Sequence, residues 1–174
     1  MKRIVVFSML LLIAVLTLQA QTPIAGWEIK GMGFSEDNLI NVETVAAIIV
    51  VQGGEIYFNA IDMSTNETIM AVTIKDPCLD KTAAKNDSYN GIRSDIVTLD
   101  NLQRKGTLCL SITKTGKELD IFHFDFGDGK QICYTGSLVD KKMAGNILKL
   151  CIAIDTLKKR GLTTAPLEHI MKTD

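Results

Sequence analysis

The feature that most constrains the fold is a series of short segments rich in β-branched residues and separated by tight turns. Three of them, 42–51, 55–62 and 68–75, are joined by "QGGE" and "STNE", in which Gly or Asn can adopt positive φ. Such segments are typical of strands joined by hairpins. Residues 36–50 leave a choice between strand and helix, because Ser35 and the two acids after it also resemble a helix start. The "QGGE" turn favours a strand.

The same pattern continues in the second half of the chain. A short strand is expected at "DIVTL", and three more at "TLCLSIT", "KELDIFHFDF" and "QICYTG", which are joined by "KTGK" and "GDGK". Another short strand is expected around Trp27–Ile29. The polar stretch 77–91 is the longest irregular stretch and the favoured functional loop, with a possible helical turn near 80–85.

The period of the apolar residues changes after the last strand. Between 138 and 159 they recur at steps of three and four, which predicts one face of an amphipathic helix. That face is expected to carry Val139, Met143, Ile147, Leu150, Cys151, Ile154 and Leu157. Ser137 is the expected N-cap, supported by Asp140, and Gly161 can close the C-terminus. One further helical turn is expected after Pro166.

These elements predict an α+β fold. About seven antiparallel strands form a meander, curved or barrel-like, that packs against one long C-terminal helix. No repeat or low-complexity segment divides residues 21–174, so a single globular domain is expected.

Residues 1–20 have the order of a secretory signal peptide. A basic start, "MKR", precedes an apolar run and a small residue at Ala20. The junction "LQAQT" resembles signal peptides of Bacteroidetes bacteria. The expected location is therefore the periplasm or outside the cell, with no membrane span after cleavage.

Charge argues against nucleic acid as a partner. The formal net charge of −1 becomes −3 once Lys2 and Arg3 are removed, and no basic stripe or acidic tail stands out.

Four cysteines follow the predicted signal peptide: Cys78, Cys109, Cys133 and Cys151. An even number in an exported chain favours disulfides, and buried free thiols are the alternative. The sequence has no C-x-x-C pair and no histidine spacing typical of zinc, so no metal is expected.

The hairpin turns predict which side chains share a face. A two-residue turn at "GDGK" pairs Phe124 with Cys133, and a turn of two or four residues at "KTGK" pairs Phe122 with Cys109. Both cysteines then lie on the aromatic face, opposite to His123, which disfavours a Cys–His nucleophile. A three-residue turn would move one cysteine to the other face.

This register also predicts the disulfide pairing. Cys109 and Cys133 lie two strands apart, about 9.6 Å, whereas a disulfide needs Cα atoms within about 7 Å. Cys151 on the helix is expected to bond one of them as the helix packs on the aromatic face. Cys78 is left for the other.

Two groups of polar residues are the candidate sites. His123 and Asp125 share a face and suggest a general acid/base pair, although a polar hairpin end is the favoured interpretation. The second group, in and beside the central loop, is a candidate binding surface or cation site: Asp76, Asp80, Asp87 and Tyr89. No cofactor is expected from either group.

Three classes of function remain open. The first is a non-catalytic protein-binding module, such as an inhibitor or an immunity-type protein, with another protein as partner and a homodimer possible. The second is a carrier of a small apolar ligand inside a curved sheet, since both faces of 108–134 carry apolar residues. The third is a small hydrolase that uses His123 and Asp125.

Overall fold

The computed structural model describes residues 21–127 and 129–172; the predicted signal peptide, 1–20, lies outside the described residues. Within them are nine antiparallel strands and two α-helices. The strands are β1 (Thr22–Gly33), β2 (Leu39–Asn41), β3 (Val45–Gln52), β4 (Glu55–Asp62), β5 (Glu67–Leu79), β6 (Tyr89–Thr98), β7 (Lys105–Thr113), β8 (Asp120–Asp125) and β9 (Gln131–Leu138). The helices are α1 (Ala144–Lys159) and α2 (Leu167–Lys172).

The sheet closes into an eight-stranded barrel because the first and last strands pair. Trp27 of β1 lies opposite Leu138 of β9, and Met32 lies opposite Tyr134. The strands β3 to β9 follow one another as a meander, and β3 pairs with the first half of β1. β2 is an additional strand that pairs only with the end of β1. The predicted antiparallel sheet with a C-terminal helix is confirmed, in its barrel-like form.

The structure has more and longer strands than the sequence predicted. β1 runs over twelve residues instead of the few around Trp27, and β6 begins at Tyr89. The central irregular segment therefore shrinks to residues 80–88, with a single 3-10 turn at Lys81–Ala83. Residues 36–50 form a 3-10 turn, β2 and most of β3, so the preferred strand interpretation is largely right.

Five aromatic side chains fill the interior of the barrel. Trp27, Phe58, Phe122, Phe124 and Tyr134 are at most 1% exposed. The ring centroids of Trp27 and Phe122 are 4.9 Å apart, and those of Phe58 and Phe124 are 5.0 Å apart. An eight-stranded barrel is just wide enough for side chains to fill it. Its interior is therefore a packed core.

Helix α1 covers one end of this barrel. Its buried residues are those the periodicity predicted from position 147 onward: Ile147, Leu150, Cys151, Ile154 and Leu157. It packs mainly against β5 and β1. The expectation from the sequence that it packs on Phe122 and Phe124 of β8 is wrong. The gap between α1 and the barrel, lined by Ile147 and Leu150, has a volume of about 10 Å³. That is about the space of one water molecule.

The two ends of α1 differ in how well the sequence predicted them. The expected N-cap, Ser137, lies in β9, which continues to Leu138 and delays the helix. Asp140 instead accepts a hydrogen bond from Lys142 N and begins a 3-10 turn before α1. Gly161, with φ of 65°, closes the helix as predicted. The expected turn after Pro166 is α2.

One carboxylate is buried at the edge of the core. Asp120 is 1% exposed and accepts hydrogen bonds from Trp27 Nε1 and Thr113 N, each at 2.7 Å. Burial raises the pKa of Asp120 above its usual value, against the effect of both hydrogen bonds. The carboxylate thereby satisfies two buried donors.

Asp120→Asn should destabilise the protein by about 1–3 kcal/mol, because the amide NH₂ replaces one of the two acceptor oxygens and leaves either Trp27 Nε1 or Thr113 N without its acceptor. Urea unfolding measures it. Because the pKa of Asp120 is raised in the folded state, the wild type gains stability that is fully present below the unfolded pKa. This stability is lost as the pH rises through the folded pKa. The deficit of the variant should therefore grow as the pH falls towards the usual value of 3.8. A deficit that does not change with pH would contradict the raised pKa.

Phe58→Ala should destabilise the barrel by about 3–5 kcal/mol, since the truncation leaves a cavity among three aromatic neighbours. Leu102→Ala is the control: Leu102 is 72% exposed, so its loss should change stability by less than about 0.5 kcal/mol. Equal effects of the two substitutions would show that the interior is not tightly packed.

Candidate functional site

The register around β8 differs by one residue from the predicted one. His123 lies opposite Cys109 on β7 and opposite Cys133 on β9. At "GDGK" the Phe126 N–H donates to Lys130 O, which leaves a three-residue turn where two residues were expected. The predicted pairing of Phe124 with Cys133 is therefore wrong, as is that of Phe122 with Cys109. A shift of one residue moves side chains to the opposite face.

As a consequence, Cys109, His123 and Cys133 share the outer face of the barrel wall, while Phe122 and Phe124 point inward. The sequence argument that separated these cysteines from His123 is wrong. Its physical cause is the odd number of residues in each hairpin connection. The structure brings thiols and imidazole together on one surface.

Five residues on five neighbouring strands form a continuous row across this wall: Cys78, Arg93, Cys109, His123 and Cys133. We call it the thiol–imidazole row. Neighbouring strands are about 4.8 Å apart, so each side chain lies beside the next. Burial increases along the row, since Cys78 is exposed, Cys109 is half-buried and Cys133 is fully buried.

The predicted disulfides are absent from the described residues, in which all four cysteines are free thiols. Cys109 and Cys133 are separated by β8, as expected. Cys151 lies in the core and is 2% exposed. Burial raises the pKa of Cys133 to about 11 and that of Cys151 to about 12, so both thiols are protonated at neutral pH.

His123 pairs with a carboxylate that the sequence analysis did not identify. Its Nε2 lies 2.9 Å from Glu36 Oε1, and Lys85 Nζ lies 2.8 Å from Glu36 Oε2. The hydrogen bond from Lys85 is the largest cause that holds the pKa of Glu36 below its usual value. Glu36 thus ties the segment before β2 to β8 and to the central loop. No local pattern signals this, because 87 residues separate Glu36 from His123.

Asp125, the second residue of the candidate acid/base pair, has its own partner. Its Oδ1 accepts a hydrogen bond from Gly127 N at 2.8 Å, so the carboxylate supports the hairpin turn. Both residues nevertheless line one shallow cavity of about 310 Å³ on the outer face. Arg93 and Cys109 lie on the same cavity, and burial raises the pKa of Cys109. Three residues of the row, Arg93, Cys109 and His123, therefore line one cavity.

The central loop is held against the barrel. Asp80 accepts hydrogen bonds from the Thr82 amide and hydroxyl, at 2.8 and 2.7 Å, and lies 3.7 Å from Arg93. These bonds lower the pKa of Asp80. Tyr89 is buried, and its hydroxyl donates to Glu118 at 2.6 Å. Asp80 and Tyr89 therefore have structural partners.

The other two loop candidates, Asp76 and Asp87, each have a different lysine as partner. Asp76 pairs with Lys158 of α1 at 2.9 Å. The backbone carbonyl of Asp87 accepts a hydrogen bond from Lys114 at 2.8 Å. Among the described residues no group of three or more His, Cys, Asp or Glu side chains is arranged to hold a metal ion. Asp80, Asp87 and Tyr89 nevertheless line one cavity of about 530 Å³ beside the central loop, whereas Asp76 does not line it.

A second surface feature lies between the two helices. It is an open groove of about 360 Å³ whose apolar lining includes Ile152, Ala153, Leu157, Ile170 and Met171. Ile152 is 56% exposed and Ile170 is 39% exposed. The sequence contained a signal for this groove, because Ile152 is an apolar residue that lies outside the predicted apolar face of the helix. We call this feature the helix groove.

The rim of the helix groove is basic. Lys149 and Arg160 line it, and both belong to a stretch of the chain with excess positive charge. Residues 140–174 contain seven Lys and Arg against four Asp and Glu, whereas residues 21–139 contain ten against sixteen. The net charge of the whole chain conceals this division.

The fold and these surfaces define the protein as a filled antiparallel β-barrel with a helical cover. Comparison of the chain with protein-family models, with curated proteins and with solved structures gives no match. None of the helices in the described part of the chain is long and apolar enough to cross a membrane.

Glu36→Ala should make the Cys133 thiol about three to ten times more reactive towards iodoacetamide. The Glu36 carboxylate accepts the hydrogen bonds from both His123 and Lys85, which hold its segment over Cys133. Exposed pairs of this kind contribute about 0.2–1 kcal/mol each, so their loss should expose the thiol more often. Peptide mapping of timed reactions measures the rate. Glu28→Ala is the control, since Glu28 pairs with Lys30 at 2.9 Å elsewhere. Equal protection of Cys133 in the two variants would show that Glu36 does not hold this segment down.

Proposed function

We propose that the chain is an exported protein-binding module of the inhibitor or immunity type, and that it binds an acidic amphipathic segment of a partner protein in the helix groove. The observation that carries the proposal is the groove itself, with two exposed isoleucines on its walls. The signal-peptide pattern of residues 1–20 supports the exported location.

The groove has the features of a helix-in-groove binding surface. Its floor includes Leu157, which is 6% exposed, and the half-buried Ala153 and Met171, which pack against the core. A partner side chain placed over them would complete a layer that is otherwise open to water. Apolar anchors seated in such a groove dominate the affinity of many recognised helices.

Charge determines the kind of partner. Lys149 and Arg160 flank the apolar floor, so a segment with apolar residues on one side and Asp or Glu beside them matches both parts of the groove. The excess of acidic residues in 21–139 makes the barrel wall a poor surface for the same segment. Charge complementarity therefore favours the helix groove over the barrel wall as the surface that binds an acidic segment.

The other two classes have less support. A carrier of an apolar ligand needs an internal cavity, and the aromatic side chains that fill the barrel would have to move to create one. A hydrolase built on His123 and Asp125 would use two side chains with separate partners, Glu36 for His123 and Gly127 for Asp125.

The test is site-directed photo-crosslinking with a reactive group in place of Ala153, followed by affinity measurement with the crosslinked partner. Ile152→Glu should weaken binding at least tenfold, about 1.4 kcal/mol or more, because it places an acid on the groove wall and removes an anchor. Leu102→Glu is the matched control, as Leu102 is an exposed apolar residue outside the groove. It should leave the affinity unchanged.

Raised salt concentration should also weaken the complex, because the basic rim is exposed to solvent. Two results would overturn the proposal: a partner that binds the Ile152→Glu variant as tightly as the wild type, or crosslinks from position 153 only to a second copy of the chain.

A further inference from the structure

The thiol–imidazole row contains three groups in the order that nucleophilic thiol chemistry needs. Cys109 and His123 are directly opposite each other on β7 and β8 with both side chains on the outer face. Directly opposed residues have Cβ atoms about 4.5–5.5 Å apart, so a rotamer change brings thiol and imidazole into contact. Glu36 holds the other side of the imidazole.

The two ring nitrogens of His123 are used in a way that supports the order Cys109, His123, Glu36. Nε2 of His123 donates to Glu36 at 2.9 Å, which leaves Nδ1 as the unprotonated nitrogen of the neutral ring. Within the described residues Nδ1 has no hydrogen-bond partner. A neutral imidazole with a free basic nitrogen beside a thiol is the arrangement that activates a nucleophile, and the carboxylate orients the ring.

The cavity next to these groups gives a substrate room to enter. It has a volume of about 310 Å³, and Cys109, His123 and Arg93 all line it. Arg93 lies opposite Cys109 on β6. Its nearest carboxylate, Asp80, is 3.7 Å away and is engaged by Thr82, so the guanidinium keeps donors for a ligand.

We propose that Cys109 is the nucleophile of an acyl-transfer site in which His123 is the general base, Glu36 positions the imidazole, and Arg93 binds a carboxylate of the substrate. The substrate class is a small ester or thioester that carries a carboxylate near the reacting carbonyl. This site is independent of the helix groove and of its proposed partner.

The reaction proceeds in two balanced steps. The Cys109 sulfur attacks the carbonyl carbon as its proton passes to His123 Nδ1; the bond to the leaving group breaks, and the leaving alcohol or thiol takes that proton. Water then attacks the acyl-cysteine, again with His123 as base, which releases a carboxylic acid and restores the thiol. The net reaction is hydrolysis, with water as the only co-reactant.

Cys78 provides an internal control. It lies on the same row and is also beside Arg93, but it has no histidine neighbour on the row. Burial raises the pKa of Cys109, and Cys78 is the more exposed thiol, so accessibility alone makes Cys78 the faster one. Only assistance by His123 reverses that order.

The first experiment measures alkylation of both cysteines in the full mature chain by iodoacetamide, with peptide mapping across a pH series. Cys109 should react faster than Cys78. His123→Ala should slow Cys109 at least tenfold and leave Cys78 unchanged. Glu36→Gln should alter the pH profile of Cys109 alkylation, because the orienting carboxylate is lost. Thermal unfolding of each variant checks that the fold is retained.

The second experiment uses two chromogenic probes, p-nitrophenyl acetate and the p-nitrophenyl monoester of succinic acid. The wild type should release p-nitrophenolate and form an acyl group on Cys109, faster with the charged probe. Arg93→Gln should abolish that preference for the charged probe. Cys109→Ser should lose the acyl adduct.

Three results would overturn the proposal. They are Cys109 alkylation that is slower than that of Cys78 in the wild type, alkylation that is unaffected by His123→Ala, and acylation that appears on Cys78 instead.

Discussion

Pairing of β1 with β9 is the interaction on which the rest of the structure depends. It removes both edges of the sheet, so every strand of the barrel has two neighbours and the inward side chains face a closed space. Five aromatic rings fill that space and hold one another at centroid distances of 4.9–6.4 Å. Because these side chains fill the interior, both proposed sites lie on the outer surface.

The helices and loops that cover the closed barrel form both candidate surfaces. Helix α1 seals one end with its apolar face, and the residues beside that face, together with α2, form the helix groove. On the wall, the segment containing Glu36 and the central loop meet over β7–β9 through the Glu36–Lys85 pair. These covers bury Cys133 and leave Cys109 at the border of a cavity. The same packing thus creates both candidate surfaces.

The two proposed roles make different demands on the molecule. Recognition in the helix groove needs exposed isoleucines and a basic rim, which the last 35 residues supply locally. Thiol chemistry on the row needs four residues from four separate segments at one place. The first surface tolerates variation around its anchors, whereas the second depends on every register between β6 and β8 being correct.

Local chemistry in the sequence determined the strands, the hairpins and the helix. The turn residues at "QGGE" mark the β3–β4 hairpin, and the spacing from Ile147 to Leu157 marks the buried face of α1. Only the tertiary structure decided the barrel closure, the odd hairpin registers and the contact of Glu36 with His123 across 87 residues. The reason is physical. Propensity and period act over a few residues, whereas register in a closed barrel is set by the fit of side chains from all strands in one interior.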